Sequence, residues 1–155
     1  MRVHQLIPCF TPADAMGQAA VAWQRVLRHL GATGEVYADE VAPAWRSLVR
    51  PATELRPEPD DLVLYHHGIA SPLAGRLLHL PCRKGLVFHN VTPAHFYAGT
   101  QLEEPLVAGR AQVAALAGAV DVALGVSAWN VRELVEAGHR DAKVVPLFVD
   151  RKSVV

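Results

Sequence analysis

Three short apolar runs constrain this chain more than anything else in it: Leu62-Val63-Leu64-Tyr65, Leu86-Val87-Phe88 and Val122-Ala123-Leu124-Gly125-Val126. Each is short for a helix and lacks polar alternation, which suits a strand covered on both faces. Longer stretches with helical spacing lie between them. Strands that alternate with helices in this way build a parallel sheet wrapped by its own crossovers.

The same reading extends to the whole chain. Strands are expected at Val3–Ile7, stopped by Pro8, then at Glu35–Ala38, Asp61–Gly68, Leu86–His89, Val122–Val126 and Lys143–Val145. Ala20, Trp23, Leu27 and Leu30 recur at helical steps, and Gly31 follows as a stop. Pro72–His79 reads as a short helix with proline in its first turn. Glu103–Ala119 reads as a long one. Ser127 can cap a further helix reaching Ala137, with Val131, Leu134 and Val135 facing inward and Gly138 closing it. Asp39–Arg50 is expected to be irregular or a short helix, and Pro51–Pro59 a proline-bearing connection. The expected fold is a doubly wound three-layer α/β/α sandwich with a mainly parallel sheet of about six strands. It occupies residues 1–150 as one domain, with 151–155 as the start of a linker.

Composition removes several function classes. Fifteen basic residues balance fifteen acidic ones, so no broad positive field is available for a phosphate backbone, and no nucleic acid is expected as a partner. Cys9 and Cys82 lack CxxC spacing and suit a reducing compartment. The richest apolar stretch, Ala111–Val126, is split by Gln112 and Asp121, short of the ~20 residues a membrane span needs. The first residues hold no apolar core of a signal peptide, so a cytoplasmic location is expected.

Polar residues gather at the carboxyl ends of the expected strands. Thr11, Asp14 and Gly17 follow the first, and His66 and His67 end the third. His89, Asn90 and Thr92 follow the fourth, and Ser127 and Asn130 the fifth. In open α/β sheets, ligands bind beyond those ends. His89 is either a core histidine bonded to a carbonyl or a ligand contact, and its setting favours the second, because a neutral imidazole both donates and accepts. Asn90 offers the same dual character, or closes a turn. His66 and His67 point to opposite faces, which argues against one shared metal, and no HExxH or Cys/His spacing accompanies them. One of the pair is expected to pack inward and the other to line the edge. Gly17 stands where a phosphate could meet helix N–H groups, or simply where the helix is capped. Arg110 lies on the apolar side of its helix and must pair with an acid or reach an anion.

Several segments together resemble the N-terminal half of a family 4 (group 1) glycosyltransferase of the GT-B fold. They are Pro8-Cys9-Phe10, Asp14-Ala15-Met16-Gly17, Leu62–Gly68, Phe88-His89-Asn90-Val91-Thr92-Pro93-Ala94-His95-Phe96-Tyr97, Gly109-Arg110-Ala111-Gln112, Val126–Asn130, Glu133-Leu134 and Val145-Pro146-Leu147. The His-Asn-x-Thr-Pro-Ala-x-Phe-Tyr segment is the most specific. The resemblance implies a Rossmann-like domain on the acceptor side of a retaining enzyme that needs no metal or other cofactor. A nucleotide sugar would be the donor, and a carbohydrate or lipid-linked molecule the acceptor. Gly17 would approach the donor diphosphate and His89 the transferred sugar. Asn90, Thr92, Ser127 and Asn130 would line the acceptor side, with His67 and Arg110 as further contacts. The donor-binding domain of such enzymes, with its basic pair and Glu-x7-Glu motif, is not in these 155 residues. The chain alone is therefore expected to be inert, and its exposed interdomain face to favour self-association. The alternative is a non-enzymatic module that holds a sugar or similar ligand without transfer.

Overall fold

The computed structural model describes residues 1–11 and 13–148. Among these, seven strands form one parallel sheet: β1 (Val3–Phe10), β2 (Val36–Val41), β3 (Arg50–Pro51), β4 (Leu62–His67), β5 (Arg83–Phe88), β6 (Val122–Gly125) and β7 (Lys143–Val144). Their order across the sheet is β3-β2-β1-β4-β5-β6-β7. Four α-helices accompany them: α1 (Ala15–His29), α2 (Pro72–Leu78), α3 (Glu103–Leu116) and α4 (Ala128–Glu136). This is the expected Rossmann-like three-layer arrangement. The expected linker at 151–155 lies outside the described residues.

Strand alternation divides the core between two faces. Leu6, Val63, Tyr65, Leu86, Phe88 and Ala123 pack against Leu73 and Leu77 of α2, Leu106, Val113 and Leu116 of α3, and Leu134 of α4. On the other face, Val3, Leu64, Val87 and Leu124 lie under Trp23 of α1, and Ile7, Val36 and Ala38 under Ala20. The partition follows from the handedness of crossovers. The connection through α1 runs from β1 outward to β2, and the connections through α2, α3 and α4 run the opposite way. Right-handed turns in opposite directions put their helices on opposite faces. The reversal falls between β1 and β4.

Four details depart from the sequence reading. β1 continues through Pro8 to Phe10 instead of stopping. It pairs with β2 as far as Phe10 but with β4 only from Val3 to Leu6. Pro8, with no N–H to donate, stands just past the last β4 pairing, where the two central strands part. The sheet also gains an edge strand, β3, whose two residues pair with Tyr37 and Ala38 of β2. Helix α3 ends at Leu116, three residues early, ahead of Gly118 at φ 78°. Val135 faces outward at 56% exposure, while Leu134 beside it is fully buried. Ser127 caps α4 as expected, accepting from the Asn130 N–H.

Candidate functional site

The reversal between β1 and β4 is where an open α/β sheet offers a crevice. Helix α1 begins directly against the end of β1. Its cap is Asp14, whose carboxylate accepts from the Gly17 N–H at 2.9 Å. A side-chain carbon on Gly17 would lie 3.0 Å from the Thr11 carbonyl oxygen and 3.1 Å from the Phe10 ring. Glycine is needed there so that the helix can approach the strand, and its N–H is already committed. Met16, one residue earlier, reaches over Gly68 at the exit of β4. A side-chain carbon on Gly68 would meet the Met16 methyl at 2.6 Å and the Asn90 carbonyl oxygen at 3.4 Å. The loops after β1, β4 and β5 thus meet at one point.

Behind that point lies a chain of buried polar side chains. His89 Nε2 is 2.9 Å from His66 Nδ1, and the two rings stack with centroids 5.1 Å apart. His66 Nε2 is 2.9 Å from Gln5 Oε1. The Gln5 amide donates to the Ala20 carbonyl at 2.9 Å and to Gln24 Oε1 at 3.0 Å, and the Gln24 amide donates to the Gly34 carbonyl. Gln5 and His66 have no exposure at all. Burial pushes His66 well below the ordinary histidine range, and His89 beside it adds to the effect. Burial also pushes His89 down to about 4, against an opposing pull from Asp14. Both rings are neutral near pH 7, so His89 acts as a hydrogen-bonding group and not as a fixed cation.

His67 lies on the opposite face. It too has no exposure, and both its nitrogens are engaged, Nε2 with the Gly109 carbonyl at 2.9 Å and Nδ1 with the Tyr65 hydroxyl at 3.1 Å. It ties α3 to β4. His66, not His67, is the member of the pair that joins His89.

The other candidates hold the loops in place. Arg110 donates to the Val91 carbonyl at 2.6 Å and pairs with Glu133 at 3.1 Å, so it joins the β5 exit to α4. The ion pair of its two readings is present, at a side chain that is part-exposed. Gln112 exchanges two bonds with the Ser71 backbone, each at 3.0 Å, and clamps the loop between β4 and α2. Ser127 donates to Asn130 Oδ1 at 2.7 Å and accepts from its backbone N–H at 3.1 Å. These two groups answer each other as a capping pair. Thr92 is exposed beyond the β5 exit. Asn90 takes a left-handed backbone at φ 79°, and its Oδ1 is buried without a partner.

No protein-family model matches the chain, and no curated protein sequence matches it significantly. The site therefore speaks through its own geometry. Among the described residues, no group of three or more His, Cys, Asp or Glu side chains is placed to hold a metal ion, and no helix is long and apolar enough to cross a membrane. Sequence reasoning missed Gln5 and Gln24. The available signal was Gln5 itself, an amide in the middle of an expected buried strand, where an unpaired polar group is costly.

Proposed function

We propose that the crevice between β1 and β4 binds a neutral, hydroxyl-bearing ligand, and that the chain is the acceptor-side half of a retaining glycosyltransferase acting on a nucleotide sugar. The observation that carries the reading is the position of His89. It is a neutral imidazole held from behind at the strand-order reversal, next to the buried, unpaired Asn90 oxygen. Phe96, Tyr97 and Trp129 stand exposed on segments that follow the carboxyl ends of β5 and β6. They offer an apolar rim for a second domain or a second copy of the chain. The family resemblance supplies the reaction class.

Transfer also requires stabilisation of the leaving diphosphate, more in the transition state than in the ground state. Arg110 is engaged by Glu133 and Val91, and the Gly17 N–H by Asp14. These commitments favour binding without turnover by the chain alone. They also give weight to a second reading, a binding module that never transfers.

The test titrates the protein with nucleoside-diphosphate sugars and simple glycosides, following backbone amides by NMR. Movement is expected at Gly68, His89 and Asn90. Asn90→Gly keeps the left-handed backbone at no steric cost, so it should fold normally and bind at least tenfold more weakly. No response at these amides to any sugar refutes the reading. Robust donor hydrolysis or transfer by the 155-residue chain refutes the claim that it is inert alone.

A further inference from the structure

The hydrogen bonds behind His89 run in one direction only. Ala20 and Gly34 contribute backbone carbonyls, which accept and never donate. Gln24 therefore gives its amide hydrogen to Gly34, and Gln5 gives its two to Ala20 and Gln24. Only the Gln5 carbonyl oxygen is left to face His66 Nε2, so that nitrogen must carry its ring's hydrogen. His66 is neutral and fully buried. Its Nδ1 is then a lone pair, and it accepts from His89 Nε2. The hydrogen of neutral His89 is thereby committed inward. His89 Nδ1 is left as a bare acceptor, and it is not among the buried, unpaired polar atoms.

We propose that Gln5 and His66 are positioning residues that fix His89 in the tautomer with its lone pair at Nδ1, so that the ligand group meeting this ring is a hydrogen donor, a hydroxyl in class, and not a phosphate or carboxylate oxygen. The inference about the ligand rests on the reading of this edge as a binding site. The inference about the tautomer does not. Two other titratable groups act on His89: Asp14 from the α1 cap and His67 from β4. The Asp14 carboxylate works in the same sense, because a negative charge at the crevice repels an anion and tolerates a hydroxyl.

The chain leaves a mark that packing alone would not. In a protein labelled with 15N in its histidines, two-bond proton–nitrogen NMR correlations separate protonated from bare ring nitrogens. At pH 7 the free protein is expected to show His66 and His89 both protonated at Nε2 and bare at Nδ1. A proton on His89 Nδ1 overturns the proposal. Gln5→Glu keeps an acceptor against His66 Nε2 but adds a negative charge, and should raise the titration of the His66–His89 pair by a unit or more. A folded variant whose pair titrates as in the wild type overturns the role of Gln5. If the variant does not fold, the wild-type spectrum decides the tautomer by itself.

Methyl α-glucoside and inorganic phosphate then probe the ligand class. The glucoside is expected to move His89 Nδ1, and phosphate to leave it unmoved. A response to phosphate at Nδ1 overturns the ligand assignment. Silence toward both and toward the nucleoside-diphosphate sugars, with the tautomer as stated, refutes the binding site of the preceding section and upholds the positioning of His89.

Discussion

Glycine-to-alanine exchange at two helical positions should change stability with opposite signs. Gly109 lies in α3, where a Cβ would stand 2.9 Å from the Ala70 nitrogen and 3.2 Å from the Ile69 carbonyl carbon. Both are backbone atoms and cannot rotate aside. Gly75 lies in α2, and a Cβ there meets nothing within 4 Å. Alanine gains roughly 0.5–1 kcal/mol over glycine inside a helix, and Gly75→Ala should realise all of it. At position 109 the same gain is opposed by overpacking, which costs about 1–3 kcal/mol. Moving α3 outward would also strain the Gly109 carbonyl bond to His67 and the Gln112 clamp on Ser71. Gly109→Ala should therefore lose about 1 kcal/mol or more. The two variants should lie about 2 kcal/mol apart, or roughly 4–8 °C in Tm for a domain of this size. Urea and thermal unfolding followed by tryptophan fluorescence measure both. Equal stabilisation by the two substitutions would refute the close approach of α3 to the β4–α2 loop.

Two further outcomes follow from the same structure. Burial is the leading cause that lowers His4, His66, His67 and His89, so the unfolded chain takes up their protons first. Their contribution is fully present above about pH 6.5 and is lost as pH falls toward their folded values, by at most about 1.4 kcal/mol per pH unit for each histidine. Tm should be level between about pH 7 and 8 and should fall steadily below about pH 6.5; a level profile down to about pH 5 would contradict the neutral burial of these rings. Ser127→Ala removes the cap of α4 and leaves the buried Asn130 Oδ1 without its donor, which should cost about 1–2 kcal/mol in urea unfolding. A loss near zero would show that the pair is dispensable.

The order of strands and helices was legible because apolar runs and helical spacing are local patterns. Leu62–Tyr65 and Leu86–Phe88 read as buried strands without any knowledge of their neighbours. β3 did not, because Arg50 and Pro51 have no strand character of their own and take it from pairing with β2. Pro8 misled for a related reason: its missing N–H ends a ladder only if a partner strand is present on that side, and β4 has already parted from β1 there. At the site, the alternation of His66 and His67 between faces was legible. Which of them joins His89 was not, since that contact lies between two strands and leaves no local pattern in the sequence. Arg110 carried two readings because its helix position says only that it needs an acid or an anion. The acid is Glu133, on another helix, and no local pattern in the sequence points to it.

The strand order also bears on how the protein assembles. β1, α1 and β2 form one unit of near neighbours, and β4 to β7 with their helices form another. Among the described residues the β1–β4 ladder, Val3 against Leu62 to Leu6 against Tyr65, is the one strand pairing between the two, and Trp23 of α1 packs across it onto Leu64, Val87 and Leu124. Closing it brings together residues nearly 60 positions apart, and long loops are slow to close. The hydrogen bond from His66 to Gln5 crosses that same seam. Until that seam closes, His66 lacks the Gln5 oxygen and nothing sets the orientation of His89. Local opening of the seam would therefore release the His89 ring before either side unfolds.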